Sequence, residues 1–211
     1  RGLGDVYKRQ LHGIPINLKD NIGTTAPMHT TAGAEILLEH SPVKEAVLVT
    51  QLREAGAVIL GKAALSELAG SLTTAPPGYN AVSGIGVNPY GKDFPVSGSS
   101  SGSGISASAY LTMVSVGTET SGSLISPASM NGVIGMKPGL GLVSGEGVIP
   151  LIRFQASAGP IARTVTDAAI LLAGIDASEV DYATGLDVRA LEGVAGGVLR
   201  VGIIRKVGAD D

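Results

Sequence analysis

The 211-residue sequence has no cysteine, no tryptophan, two phenylalanines and five tyrosines. Without thiols there is no disulfide framework and no thiolate zinc site. With so few rings there is little to stack on nucleic-acid bases. Charge is scarce too: Asp, Glu, Lys and Arg make up 16% of the chain, and the net charge of −3 leaves no basic stripe in either half. That removes the electrostatic case for nucleic acid or an anionic membrane as partner. Apolar runs are short, because the longest weakly charged stretch, residues 65–91, is broken by Pro76, Pro77 and Gly78 and cannot span a bilayer. The three histidines, His12, His29 and His40, have no ligand spacing, so no metal is expected.

Glycine is what the chain has in excess, with 31 residues beside 11 prolines in a sequence that is 44% hydrophobic. Such a chain is too apolar for disorder, lacks the three-residue period of collagen, and is punctuated too often for long helices. Residues 1–10, with Arg1, Lys8 and Arg9, lead into Leu11-His12-Gly13-Ile14-Pro15 rather than an apolar signal core. Their texture differs from that of the rest of the chain, and they read as a leader foreign to a domain over 11–211 whose core is 11–173. No export signal is visible, and a cytoplasmic location is expected.

Short strands alternate with helices along the domain. Ile14 to Leu18 reads as a strand. Ser41-Pro42 reads as a helix start, with an apolar stripe through Val47, Leu48 and Leu52 and a stop at Gly56. Ala57 to Leu60 reads as a buried strand, residues 63–70 and 103–111 as helices, and Thr112 to Val116 and Val133 to Lys137 as strands. Thr164-Val165-Thr166-Asp167 resembles a capping box opening a helix that ends near Gly174. Asp176 to Gly197 reads as a polar connection to a last strand, Leu199 to Ile204, after which the sequence stops with nothing to pack on it. The alternation predicts an α/β fold, an α/β/α sandwich around a mixed sheet, and an incomplete one.

Two Ser/Gly loops sit where such folds place reactive backbone: Ser97 to Gly104 before a helix, and Gly117 to Ser123 after a strand. Flexible turns would have the same composition. A third feature, Lys19 at the end of an apolar strand, adds a group whose pKa falls on burial and which can then serve as a neutral base. Ser with Lys is an alternative to Ser with His. Three other motifs are weaker. Gly98-Ser99-Ser100-Ser101-Gly102 fits the nucleophile elbow with Ser100, but every histidine lies before it. Residues 56–62 approach a P-loop but have Ala63 where Ser or Thr is needed. Ser41-Pro42-Val43-Lys44 fits S-x-x-K without its companions.

In combination these segments resemble the amidase signature family. Leu11 to Asn21 is similar to its Lys segment, Ala55 to Lys62 with Ser66-Glu67 to its helix-strand-helix unit, Ser97 to Ser103 to its first loop and Gly117 to Ser129 to its nucleophile loop. Gly135-Met136-Lys137-Pro138, Gly147-Val148-Ile149-Pro150 and Gly159-Pro160-Ile161-Ala162-Arg163-Thr164 come next in order. The resemblance implies a Ser-cisSer-Lys triad: Ser123 as nucleophile, Ser99 as the relay held by a cis peptide, and Lys19 as base, buried away from carboxylates, so that Asp20 must point elsewhere. It also implies an oxyanion hole from the backbone N–H groups of Thr120, Ser121, Gly122 and Ser123, hydrolysis of a carboxylic amide through an acyl-enzyme, and no cofactor. A small-molecule amide, and at most a second copy of the chain as a homodimer, are the expected partners. A catalytically impaired member or binding subunit, and an amidotransferase A-type subunit, are the alternatives. The chain departs from the family pattern at Ser121, usually Gly, where a positive φ would strain the loop. It departs also at Leu124-Ile125 in place of Ile-Arg, at Ala156 in place of Asp, and at Ser97 and Ser101 in place of glycines.

Overall fold

A computed structural model describes residues 11–70 and 74–176. The leader at 1–10, the last strand at Leu199 to Ile204 and all but the first residue of its connection lie outside the described residues. In chain order the elements are β1 (Pro15–Lys19), α1 (Val47–Glu54), β2 (Val58–Ala63), β3 (Tyr79–Asn80), β4 (Gly84–Ile85), α2 (Ser101–Ser108), β5 (Val114–Glu119), α3 (Ile125–Met130), β6 (Ile134–Gly135), β7 (Ser157–Ala162) and α4 (Val165–Ile175). One five-stranded sheet has the order β2-β1-β5-β7-β6. β1 runs parallel to β2 and β5, whereas β7 is antiparallel to β5 and β6, so the sheet is mixed.

Strand side chains alternate between faces, and that alternation builds the molecule. Ile16 and Leu18 of β1, Val114 and Val116 of β5, and Ala158 and Ala162 of β7 form one apolar cluster. It is closed by Leu48, Val49 and Leu52 of α1 and by Ala168, Leu171, Leu172 and Ile175 of α4. The intervening residues meet the helices of the opposite side. Asn17 Nδ2 donates to Ser106 Oγ of α2 at 2.9 Å, and Ile161 packs with Ala107 of α2 and Leu124 before α3. The result is an α/β/α sandwich with a dry apolar face and a polar one. Among the described residues no helix is long and apolar enough to cross a membrane.

Several elements differ from their sequence reading. α1 starts at Val47 because Ser41 Oγ is hydrogen-bonded to His29 Nδ1 (3.0 Å), and Ala46 N donates to Gly23 O (2.9 Å) where a cap would form. Residues 63–70 are not a helix: β2 continues to Ala63, paired with Lys19, and only a 3-10 turn, Glu67–Gly70, comes after it. β2 is not a buried strand either, since Val58 is 49% and Leu60 58% exposed. β5 extends beyond Val116 because Gly117, Thr118 and Glu119 pair with Gly159, Ala158 and Ser157 of β7. α2 begins at Ser101, inside the first Ser/Gly loop, and Gly102 explains why. A Cβ there would lie 2.5 Å from Ala64 N, so glycine lets the helix lie on the backbone just past β2. The Thr164 cap forms as expected, with its Oγ1 accepting from Asp167 N at 3.0 Å.

Candidate active site

Lys19 ends β1 on the polar face of the sheet, where its side chain is wholly buried. Its Nζ donates to Ser99 Oγ at 2.7 Å and to Thr118 O at 3.1 Å. Ser99 stands just before α2, and the Gly98–Ser99 peptide is cis. Ser100, the next residue, is the pin between the two Ser/Gly loops: its Oγ donates to Thr118 O and accepts from Thr118 N, and its N–H donates to Ser123 O at 3.1 Å. Ser100 is thus fully buried with its hydroxyl spent on backbone, the opposite of an exposed elbow nucleophile.

Ser123 sits between β5 and α3. It shares with Ser99, Thr118, Thr120 and Asn21 the wall of a cavity of about 590 Å³. No hydrogen bond joins Ser99 Oγ to Ser123 Oγ in this structure. Asn21 fastens another part of that wall, its Nδ2 donating to Thr118 Oγ1 (3.1 Å) and Ile149 O (2.9 Å). Ala156 also lines the cavity, beside Arg153 and Phe154.

Burial dominates the electrostatics. It lowers the Lys19 pKa from 10.5 to about 7, and the Glu119 carboxylate pulls the other way. Asp20 is turned from the site: its Oδ2 accepts from Thr31 Oγ1, and its Oδ1 lies 3.4 Å from Lys62 Nζ. Lys62 is itself lowered to about 8 by burial, against the pull of Asp20.

Glu119 is the residue that the sequence reading missed. The resemblance called for a lysine buried away from carboxylates, yet this carboxylate is only 4% exposed and close enough to act on Lys19. Its Oε1 accepts from Gly122 N at 2.8 Å, and its Oε2 from Leu124 N at 2.7 Å and Ile125 N at 3.0 Å. The signal that could have found it was an acidic residue inside a Ser/Gly segment of a weakly charged chain. Ending β5 at Val116 hid it.

The same bonds sort the candidate oxyanion donors. Gly122 N–H is engaged by Glu119, whereas the N–H groups of Thr120, Ser121 and Ser123 are not. The loop's left-handed residue is Gly122 (φ 80), not Ser121, so the serine there is unstrained. The left-handed departure falls on Ser97 instead (φ 57), whose Oγ lies 2.7 Å from Ser126 Oγ.

Similarity to known proteins extends over most of this chain. The "Probable amidase" of Arabidopsis thaliana is 52% identical over 166 residues, 78% of this chain and 32% of that protein. The glutamyl-tRNA(Gln) amidotransferase A-type subunit of Archaeoglobus fulgidus is 37% identical over 204 residues, 97% of this chain and 44% of that one. The structure of native peptide amidase from Stenotrophomonas maltophilia matches with a TM-score of 0.78 at 47% identity, covering 85% of this chain and 37% of that one. The chain thus spans about a third to under a half of the length of these relatives. The sequence profile of the Amidase family matches residues 5–211, and the chain belongs to that family.

Proposed function

We propose that the site hydrolyses a carboxylic amide through an acyl-enzyme on Ser123. The observation that carries this reading is Lys19: buried, with a pKa near 7, and hydrogen-bonded to Ser99 at the edge of the cavity that holds Ser123. A neutral amine has two N–H groups and one lone pair. With one N–H on Thr118 O, it can turn the lone pair toward Ser99 Oγ.

An amide is a poor electrophile with a poor leaving group, so the nucleophile must lose a proton during attack and the leaving nitrogen must gain one. Ser123 Oγ attacks the carbonyl carbon and its proton passes to Ser99 Oγ, while the Ser99 proton passes to Lys19 Nζ. The oxyanion is received by backbone N–H groups of Thr120, Ser121 and Ser123. Gly122, the fourth donor expected from the family, already serves Glu119. One such donor is worth about 3–4 kcal/mol in the transition state. Return of the proton through Ser99 releases ammonia or an amine, and water, deprotonated by the same relay, hydrolyses the ester.

A small-molecule amide is the substrate class that this reading favours, in keeping with the peptide amidase likeness. The match to amidotransferase A-type subunits over nearly the whole chain supports a second reading, in which the same site releases ammonia for a partner. A fluorophosphonate probe tests the assignment common to both. The protein is expected to be labelled, and Ser123→Ala to abolish labelling. An unlabelled protein, or equal labelling of the variant, overturns it.

A further inference from the structure

We propose that Glu119 is a positioning residue for the nucleophile loop, a buried carboxylate that gathers the N–H groups of Gly122, Leu124 and Ile125 and so aims Ser123 and the neighbouring donors into the cavity. This inference rests on the reading of Ser123 as nucleophile.

The geometry is specific. Glu119 is the last residue of β5, paired with Ser157 of β7, so its backbone is anchored in the sheet four residues before Ser123. Its side chain lies on the polar face with Lys19, and both carboxylate oxygens are used inside the loop that they span. Charge-assisted bonds of this kind are shorter and roughly twice as strong as neutral ones. They also satisfy backbone donors at the start of α3, whose own N-cap residue, Leu124, offers no side-chain acceptor. Ser123 is the one residue between Gly122 and Leu124, and it is therefore clamped from both sides while its own N–H stays off the carboxylate.

A second effect arises from the charge. Glu119 opposes the lowering of the Lys19 pKa. Asp20, the other carboxylate near Lys19 in sequence, is turned to Lys62 and Thr31. Removing the Glu119 charge therefore leaves burial less opposed and moves the Lys19 pKa down.

Glu119→Gln and Glu119→Asp separate positioning from mere folding. The glutamine keeps the size, loses the charge and turns an N–H₂ toward backbone donors, while the aspartate keeps the charge on a shorter arm. With an amide substrate, Glu119→Gln is expected to lower kcat about 10²-fold, the usual cost of misplacing a reacting group by about 1 Å, with KM changed by less than about threefold. Fluorophosphonate labelling of Ser123 slows in parallel. The acid limb of the residual activity moves to lower pH, and Glu119→Asp recovers a substantial part of kcat. Near-normal kcat in Glu119→Gln, a loss confined to KM, or an acid limb that stays in place overturns the proposal. Should Glu119→Gln fail to fold, amide hydrogen exchange on the unaltered protein decides. Gly122, Leu124 and Ile125 must be protected well beyond Thr120 and Ser121, and equal exchange overturns the clamp. Failure of the unaltered protein to react with the probe would instead sink the nucleophile assignment itself.

Discussion

At the scale of single residues the sharpest tension is a lysine in a place that suits no cation. Lys19 is fully buried and its pKa is lowered to about 7, so between that pH and 10.5 the unfolded chain binds a proton that the folded chain does not. Stability from this group therefore rises with pH across that window, and the full penalty applies below it. Below that window the penalty is on the order of 4–5 kcal/mol, with the bonds to Ser99 Oγ and Thr118 O already in place. Lys19→Met is expected to raise Tm by several degrees at pH 7, with the gain disappearing near pH 10.5, while acylation slows by orders of magnitude. On the proposed mechanism the rate of the unaltered protein should climb through an apparent pKa near 7, because the neutral form of Lys19 would be the base. A variant less stable than the parent at both pH values, or one with near-normal turnover, would refute this account. The proposed triad of Lys19, Ser99 and Ser123 stands in sequence motifs, which is why it could be put forward from the sequence. Glu119 could not be, since the role proposed for it lies in three backbone N–H groups that no composition reveals.

At the scale of elements, legibility tracked local chemistry. The helix opened by Thr164 was readable because its cap is built from neighbours in sequence: Thr164 Oγ1 accepts from Asp167 N, and Asp167 Oδ2 accepts from Thr164 Oγ1 at 2.6 Å. Thr164→Ala should cost about 1 kcal/mol, seen as faster amide hydrogen exchange in the first turn of α4. Unaltered exchange would mean that the cap adds nothing to a helix whose inner side is already buried in the core. β7 escaped the reading for the opposite reason. Its sequence, Ser157-Ala158-Gly159-Pro160-Ile161-Ala162, has one β-branched residue and a proline, which local rules exclude from an interior strand. It is nevertheless a strand with neighbours on both sides, with Pro160 opposite Val116 and Pro160 O accepting from Met136 N at 3.1 Å. The small residues are what fit: a Cβ on Gly159 would collide with Met136 O. The start of α1 was misplaced because Ser41 found His29, a partner twelve residues away.

At the scale of the molecule, the α/β/α sandwich was legible from the alternation of strands and helices, but the sheet order was not, because it depends on β7 joining β5 to β6. The exposed side of that sandwich carries a prediction. Val58 and Leu60 of β2 are 49% and 58% exposed, Leu60 at the bulge where the register with β1 shifts, and β2 has a sheet neighbour on one side among the described residues. Leu111 and Met113, leading into β5, are 64% and 44% exposed. Burying one such side chain is worth about 1.5–3 kcal/mol, and an unpaired strand edge bearing apolar residues invites pairing with another chain. A polypeptide of these 211 residues alone should therefore self-associate, bind an apolar dye and unfold over a broad range. Replacing Val58 and Leu60 together by lysine should shift it toward monomer in sedimentation, because the charge lies on the strand whose outer edge has no neighbour among the described residues. The substitution should leave the melting range broad, since it removes the tendency to associate without adding buried apolar area. A monomeric, sharply two-state parent polypeptide would contradict this account, as would a lysine variant that associates as strongly as its parent.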